Sequence, residues 1–213
     1  MHCCIITIVF LVGLTGNYGM GKSTVLPIFE KCGAVIISTD EIVGSLLKEE
    51  GILDQIKGLF GESVFVEGGR LSKKKIADVV FRDDRMRRSL EDILHPLVFE
   101  RIDFVLSTIR ALEKFVVIEI PLLFERGYER RFDKIITVYT DEETALNRVK
   151  RDGILREEAL LRLKSQLPIE EKIKRSDFVV DNNGTIEDTM SQVEAICKEL
   201  LKEAKRYGNN KGT

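Results

Sequence analysis

The chain contains 213 residues, of which 44% are hydrophobic, and its formal net charge at pH 7 is −2. This length supports one substantial core with an appended lobe and excludes two independent domains of ordinary size. Because the charge balance is close to neutral, we expect a small-molecule substrate as the partner rather than nucleic acid or a membrane surface. Composition leaves the oligomeric state open.

The cysteines follow no ligand spacing. Cys3, Cys4, Cys32 and Cys197 include no C-x-x-C pair. We therefore predict neither a zinc site nor a disulfide framework, which is typical of proteins in a reducing cytoplasm. The expected location is cytoplasmic.

The first predicted element is an apolar segment over residues 3–14. It is too short to span a membrane, and it lacks the basic start of an export signal because no Lys or Arg precedes Lys22. Its β-branched residues favour a strand at the centre of a parallel sheet, covered on both faces.

A glycine-rich loop follows this strand directly. Residues 16–23, GNYGMGKS, match the pattern G-x-x-x-x-G-K-[ST] between a predicted strand and a predicted helix. In such a loop the backbone N–H groups surround phosphate oxygens, Lys22 adds charge at the β- and γ-phosphates, and Ser23 is expected to bind Mg²⁺. The alternative is a glycine-rich turn with an incidental lysine, but the flanking elements favour a nucleoside triphosphate site.

The loop alone does not determine whether the γ-phosphate passes to water or to another molecule. A signalling GTPase would need an N-K-x-D segment, which the sequence lacks. The DNNG segment at residues 181–184 matches D-x-x-G. It follows the last predicted strand, too late in the chain for a γ-phosphate switch, and we interpret it as a turn.

Four further strands are predicted, at residues 34–37, 115–120, 134–139 and 177–180, with helical segments between them. This alternation indicates an α/β fold with a parallel sheet. Two helix starts carry capping patterns: TDEE at residues 140–143, and Thr185 with Asp188 three residues later.

Asp40 stands at the end of the second strand, in the segment ISTDEI. A carboxylate at the carboxyl edge of a parallel sheet is placed to accept a proton from an attacking hydroxyl or to help hold Mg²⁺. Asp is also a common helix cap, and position alone leaves both roles open.

A long helical region lies between the second and third strands, over residues 51–112. Its apolar residues keep the helical period through LHPLV, where Pro96 is expected to kink the helix or divide it in two. The region is too long for a simple crossover, so we interpret it as a substrate lobe. His95 is typical of a structural residue there, since no Ser or Cys pairs with it locally.

The segment over residues 148–175 concentrates positive charge, with nine Lys or Arg against five Asp or Glu. Four of its arginines are placed to fold over a triphosphate and stabilise charge during transfer. They are Arg148, Arg151, Arg156 and Arg162. Because charged helix positions commonly form solvated faces, we expect about one or two of the four to reach a ligand.

These motifs resemble the dephospho-coenzyme A kinase family over nearly the whole chain. In family order they read GLTGNYGMGKST, STDEI, GGRLSKKKIADVVF, LEDILHPLV, IEIPLLFERG and RDGILREEALLRLKSQLPIEEKIKRSDFVVDNNGT. The combination of HPL, PLLFE and the last segment is far more specific than the phosphate loop. The resemblance implies a single P-loop kinase domain over residues 1–213 with a five-stranded parallel sheet. It also implies a helical acceptor lobe at residues 51–112 and a lid at residues 148–175.

The resemblance also implies cofactors, a substrate and residue roles. ATP and Mg²⁺ are expected, with dephospho-CoA as acceptor and Asp40 as the base that deprotonates its ribose 3′-hydroxyl. Lys22 and Arg148 would assist catalysis, and Arg151 and Gln166 match lid-side positions. Contacts to ATP are expected from Gly19, Met20, Gly21, Lys22, Ser23, Thr24 and Asn182, with Ser23 at the metal. Contacts to the acceptor are expected from Asp40, Lys73, His95 with Pro96, Pro121, Leu122, Leu123 and Glu125.

Three departures from the family pattern bear on these expectations. In the glycine loop, Asn17, Tyr18 and Met20 replace the usual small or aliphatic residues. Ser38 stands where the family usually has a first Asp, which leaves open any shared role of two carboxylates in metal binding. Lys73 stands where Arg is common, and Lys does not replace Arg at a bidentate site. A kinase for another small acceptor and a nucleotide-dependent switch without transfer activity remain the alternatives. The intact Lys22, Ser23 and Asp40 argue against the switch.

Overall fold

The computed structural model describes residues 9–109 and 115–211, with side chains described up to residue 206. The beginning of the strand predicted at residues 3–14, together with Cys3 and Cys4, lies outside the described residues. So does the end of the predicted helical region, at residues 110–112. The chain divides into two compact units. We call Met1–Ser38 with Ile109–Thr213 the sheet unit, and Thr39–Thr108 the helical unit.

Strands and helices alternate along the sheet unit, and helices dominate the helical unit. The strands are β1 (Phe10–Thr15), β2 (Val35–Ser38), β3 (Phe65–Val66), β4 (Arg70–Leu71), β5 (Phe115–Glu119), β6 (Lys134–Tyr139) and β7 (Phe178–Asp181). The helices are α1 (Lys22–Lys31), α2 (Thr39–Leu46), α3 (Glu50–Phe60), α4 (Lys73–Val80), α5 (Asp84–Thr108), α6 (Glu142–Arg151), α7 (Arg156–Lys164), α8 (Ile169–Arg175) and α9 (Ile186–Lys211).

The sheet unit contains a five-stranded parallel sheet in the order β2-β5-β1-β6-β7, which confirms the predicted α/β class. β1 lies between β5 and β6, with Leu14 opposite both Glu119 and Ile136. Leu14 is completely buried, as expected for a central strand covered on both faces. The core on one side joins β1 to α1 and α9 through Val12, Val25, Phe29, Val193 and Leu200. This packing fixes the carboxyl end of β1, from which the glycine loop departs.

One of the two predicted capping patterns is confirmed and the other is wrong. Thr185 N donates to Asp188 Oδ2 at 3.0 Å and Asp188 N donates to Thr185 Oγ1 at 3.2 Å, so α9 begins with a reciprocal capping box. Thr140 does not cap α6, which begins at Glu142 after Asp141. Its hydroxyl donates to Asn183 Oδ1 at 2.6 Å instead. The local pattern predicted that the Thr140 hydroxyl caps α6, but the hydroxyl instead bonds to Asn183, which is distant in sequence.

The helical unit packs α2, α3 and α4 against the long helix α5. Its buried side chains include Leu46, Ile52, Ile56, Ile76, Leu94, Val98 and Ile102. Pro96 lies inside α5, which is a single helix, so of the two predicted outcomes division of the helix is wrong and a kink stays a prediction. Contacts with three neighbouring helices offset the one backbone hydrogen bond that proline removes. A hairpin of β3 and β4 turns at Gly68 and Gly69, and the sequence did not predict it.

Within residues 9–109 and 115–211, no helix combines the length and the apolar character that a transmembrane helix requires.

Candidate active site

The glycine loop between β1 and α1 has a backbone that only glycine accommodates. Gly19 and Gly21 have φ of 78° and 87°, in the left-handed region. A Cβ on Gly19 would lie 2.8 Å from Ala145 O, and one on Gly21 would lie 2.2 Å from Asn182 Nδ2. These approaches leave no room for a side chain, so the glycines allow α6 and the turn after β7 to press against the loop.

Lys22 begins α1 and folds back over the loop. Its Nζ donates to Gly16 O at 3.0 Å and to Asn17 O at 3.4 Å. Ser23 and Thr24 follow in the first turn of α1, and both are exposed. The ammonium therefore lies at the loop beside a helix N-terminus, an arrangement that suits phosphate.

The buried side chain of Asn182 is hydrogen-bonded to the phosphate loop. Its Nδ2 donates to Met20 O at 3.0 Å, and its Oδ1 accepts from Thr189 Oγ1 at 3.0 Å. The side chain is only 4% exposed. Asn182 thus holds the phosphate loop through Met20, and its expected place near the adenine stays a prediction.

Arg148, on α6, reaches the same position. Its Nη2 donates to Asn182 O at 2.7 Å. Its Nη1 is buried and has no hydrogen-bond partner within the described residues, and it lies 3.2 Å from the place of a Cβ on Gly21. A buried guanidinium N–H without an acceptor is costly, so this group is placed to bind an anion at the loop.

The other three of the four predicted arginines divide between contact with the phosphate loop and a solvated helix face. The guanidinium of Arg162 lies 4.6 Å from the ring centroid of Tyr18, next to the phosphate loop. Arg156 pairs with Glu143 on the surface, and Arg151 is exposed. Structure therefore brings Arg148 and Arg162 to the loop and leaves Arg151 and Arg156 at solvent.

The loop also contacts the segment that joins α7 to α8. Tyr18 N donates to Gln166 Oε1 at 2.8 Å, and Asn17 Nδ2 donates to Leu167 O at 3.1 Å. Burial raises the pKa of Tyr18, while the Arg162 charge opposes that rise. Asn17 and Tyr18, which depart from the small residues usual in the family, thus fasten the loop to the predicted lid.

The segment after β5 contains the predicted acceptor wall. Pro121 O accepts from Thr15 Oγ1 at 3.2 Å, so the wall begins beside the end of β1. Leu122 is half-buried and Leu123 is completely buried, which places Leu123 behind the surface of the wall. Glu125 Oε1 lies 2.8 Å from Lys172 Nζ and accepts from Leu167 N at 2.9 Å, and these contacts hold the end of the wall.

A buried carboxylate at the sheet edge was missed in the sequence. Glu119 ends β5, is 6% exposed, and accepts from Ser38 Oγ at 3.1 Å. The register places it opposite Leu14 on one side and Ser38 on the other. The sequence signal for this carboxylate was an acidic residue at the end of β5, an otherwise apolar strand. Ser38 therefore donates a hydrogen bond to the Glu119 carboxylate. The family usually has an Asp at the position of Ser38, which would place a second carboxylate there.

The helical unit has a cavity of about 780 Å³ with Asp40 in its wall. Asp40 is the second residue of α2 and is exposed. Lys73 lines the same cavity, and its Nζ lies 3.7 Å from the place of a Cβ on Gly44, one turn after Asp40 on α2. Lys48, Arg70 and Glu41 also line it, so three cations share a cavity with two carboxylates, one of which is the candidate base.

His95 occupies a different place in the helical unit. It is half-buried on α5 and does not line the cavity of Asp40 and Lys73. Burial lowers the pKa of its imidazole below the ordinary value, and the carboxylate of Asp92 partly opposes that change. The structure thus leaves the acceptor role of His95 as a prediction.

This combination of a parallel sheet with β1 at its centre and a glycine loop leading into α1 defines the protein as a P-loop protein that binds a nucleoside triphosphate. The family model described as dephospho-CoA kinase matches residues 10–188. The chain belongs to the dephospho-CoA kinase family.

Individual relatives extend the similarity over nearly their full lengths. The dephospho-CoA kinase of Aquifex aeolicus is 35% identical over 193 residues, which cover 90% of this chain and 98% of the relative. The crystal structure of TT1252 from Thermus thermophilus superposes with a TM-score of 0.77 at 36% identity, covering 90% of this chain and 98% of that chain. Dephospho-CoA kinase from Campylobacter jejuni gives 0.59 at 28% identity, covering 90% and 97%.

Proposed function

We propose that this chain transfers the γ-phosphate of ATP to the ribose 3′-hydroxyl of dephospho-CoA, the last step of coenzyme A synthesis. The observation that carries the proposal is family membership over residues 10–188 combined with an intact phosphate loop. The small-molecule acceptor and a cytoplasmic location follow from the same assignment as predictions.

ATP binds at the glycine loop of the sheet unit in this proposal. The backbone from Gly19 to Thr24 surrounds the phosphates, Lys22 lies beside their β/γ end, and Arg148 Nη1 gains the acceptor that it lacks within the described protein. Each contribution is electrostatic, which suits a reaction catalysed mainly by positioning and charge stabilisation.

The residues present also fit Mg²⁺. No cluster of three or more His, Cys, Asp or Glu in the described parts of the chain can hold a metal ion by itself. Mg²⁺ in kinases is bound largely by phosphate oxygens and water, with one or two protein oxygens. The exposed hydroxyl of Ser23 would hold the ion, with Glu119 as the carboxylate at the end of the strand beside β1. Bound Mg²⁺ would neutralise charge on the β- and γ-phosphates.

Asp40 acts as the base in this proposal. Its carboxylate takes the proton of the 3′-hydroxyl while that oxygen forms a bond to the γ-phosphorus, and the bond to the β-phosphate oxygen breaks to release ADP. Lys73, Lys48 and Arg70 would neutralise the phosphates of the acceptor, since all three line the cavity of Asp40. Pro121, Leu122 and Glu125 of the wall, together with His95, complete the expected acceptor contacts. Leu123 is completely buried and supports the wall from behind.

The segment over residues 148–175 acts as a lid in this proposal. Its attachment to the phosphate loop through Gln166 and Leu167 supports that assignment. Closure would exclude water, so that the γ-phosphate passes to the acceptor and not to solvent.

The test is release of ADP from Mg-ATP in the presence of different acceptors. Dephospho-CoA is compared with AMP, adenosine, a pantetheine phosphate and no acceptor, and the product is identified by mass. Release that requires dephospho-CoA, with coenzyme A as product, supports the proposal. Activity with another acceptor moves the assignment to a different small-molecule kinase. ATP binding without any transfer favours the nucleotide-dependent switch.

A further inference from the structure

Lys172, on α8, is a buried charge to which the reaction described above gives no role. Its side chain is completely buried, yet it carries an ammonium group. Removing a charge from water is costly, and an ion pair in the interior seldom stabilises a fold more than apolar residues of the same size would. Stability alone therefore gives a weak reason for a lysine at this position.

The contacts of Lys172 join segments that are separated in the chain. Its Nζ lies 2.8 Å from Glu125 Oε1 and donates to Pro121 O at 3.0 Å. Glu125 Oε1 also accepts from Leu167 N, just before α8. One ammonium thus holds both ends of the wall of residues 121–125 and, through Glu125, the backbone at Leu167, which belongs with Lys172 to the segment over residues 148–175.

The same network reaches the phosphate loop. Pro121 O accepts a second hydrogen bond, from Thr15 Oγ1 at 3.2 Å. Thr15 is the last residue of β1, and the carbonyl of the next residue, Gly16, accepts from Lys22 Nζ. Burial lowers the pKa of Lys172, the Glu125 carboxylate opposes this, and the charge of Lys22 lowers it further. The two lysines therefore lie within electrostatic range of each other.

We propose that Lys172 is a positioning residue of the transfer reaction, which fixes the wall of residues 121–125 relative to the phosphate loop. The proposal rests on the proposed function, because it assumes that the acceptor rests on this wall. Displacing a reacting group by about 1 Å can reduce the rate of an enzyme by about 10²-fold. A rigid link between wall and loop is thus worth the cost of a buried charge.

The experiment compares wild type with Lys172→Met, Glu125→Gln and the double variant. Lys172→Met alone leaves the Glu125 carboxylate buried without its cation, so that variant is expected to melt at a lower temperature. The double variant removes both charges and should recover much of the loss. Lys174→Met is the matched control, because Lys174 lies on the same helix, is exposed and pairs only with Glu171 in the described protein.

The decisive readout is the pattern of kinetic constants in the double variant. We expect KM for dephospho-CoA to rise about tenfold or more, since a charge-assisted hydrogen bond to the wall is lost. The ATP dissociation constant, measured by calorimetry without acceptor, should change less than about threefold because the loop keeps its own contacts. Lys172→Arg, which retains a cation, should restore part of the lost kcat/KM.

These measurements distinguish failure of the positioning role from failure of the proposed function. A double variant that melts like wild type and keeps wild-type KM and kcat would show that the reaction does not need the Lys172–Glu125 pair, and the positioning role would be discarded. An equal loss of ATP affinity and acceptor KM would also overturn it, because the whole site would then have been disturbed. A wild-type chain that transfers nothing to dephospho-CoA would refute the proposed function, and the positioning role with it.

Discussion

The two units hold their functional side chains in opposite ways. In the sheet unit, Lys22, Arg148 and Asn182 are engaged with backbone carbonyls around the phosphate loop. In the helical unit, Asp40 and Lys73 are exposed on the wall of an open cavity. A phosphate site built from backbone N–H groups must be formed before the ligand binds. Exposed charged side chains, by contrast, can adopt their final positions when the ligand binds. We therefore expect mutations in the two units to impair different steps, ATP binding in the sheet unit and acceptor binding or transfer in the helical unit.

The largest expected effect comes from Asp40→Asn. Asn keeps the shape of the side chain and cannot take a proton, so kcat should fall by about 10²- to 10⁴-fold. ATP affinity should stay unchanged, because the carboxylate belongs to the helical unit. The measurements are steady-state kinetics and calorimetric titration with ATP, with Asp103→Asn, an exposed position on α5, as control. A near-normal kcat would remove the assignment of Asp40 as base.

The next effect tests the rigidity of the phosphate loop. In Gly21→Ala the new Cβ would overlap Asn182 Nδ2 at 2.2 Å, so the loop must shift and ATP affinity should fall by about 10-fold or more. Gly33→Ala is the matched control, since Gly33 has a φ of +90° and nothing within 4 Å of its Cβ position. It should lose about 1 kcal/mol of stability from backbone strain and no ATP affinity. Equal ATP binding by the two variants would contradict a loop fixed by Asn182.

A smaller effect is expected from Lys73→Ala. Loss of one cation from the cavity should raise KM for dephospho-CoA by about tenfold and leave ATP affinity unchanged. Lys74→Ala changes the neighbouring exposed lysine, which does not line the cavity, and serves as control. Lys73→Arg, the residue common in the family, should keep or lower KM. If both alanine variants behave alike, the cavity is not where acceptor phosphates bind.

The smallest effect concerns pH and His95. Because burial lowers the pKa of His95 in the folded protein, the unfolded chain binds more protons between that value and the ordinary value of about 6.5. The free energy of unfolding should therefore decrease as pH falls through this window, and less so in His95→Gln. Urea denaturation of both proteins at pH 7.5 and pH 5.0 measures the difference. Parallel changes in the two proteins would show that His95 does not contribute.

Part of the fold and site could be predicted because the signals are local. The β-branched run before the glycine loop predicted β1, and GNYGMGKS predicted the loop with Lys22 and Ser23 at its end. The Thr185 and Asp188 pattern predicted the start of α9 for the same reason. In each case the interacting residues lie within one or two turns of chain.

Other features depended on contacts between distant residues. Met20 and Asn182 are 162 positions apart, and Lys172 and Pro121 are 51 apart. Tertiary structure also decided that the Thr140 hydroxyl bonds to Asn183 and does not cap α6, and that α5 continues through Pro96. Sequence alone determined the order of elements, the phosphate loop and the residues available for chemistry, because glycine geometry and hydrophobic period act over a few residues. Only the tertiary structure decided which of those residues are held by buried partners and which stand free at a cavity, because burial and long-range hydrogen bonds exist only after the chain has packed.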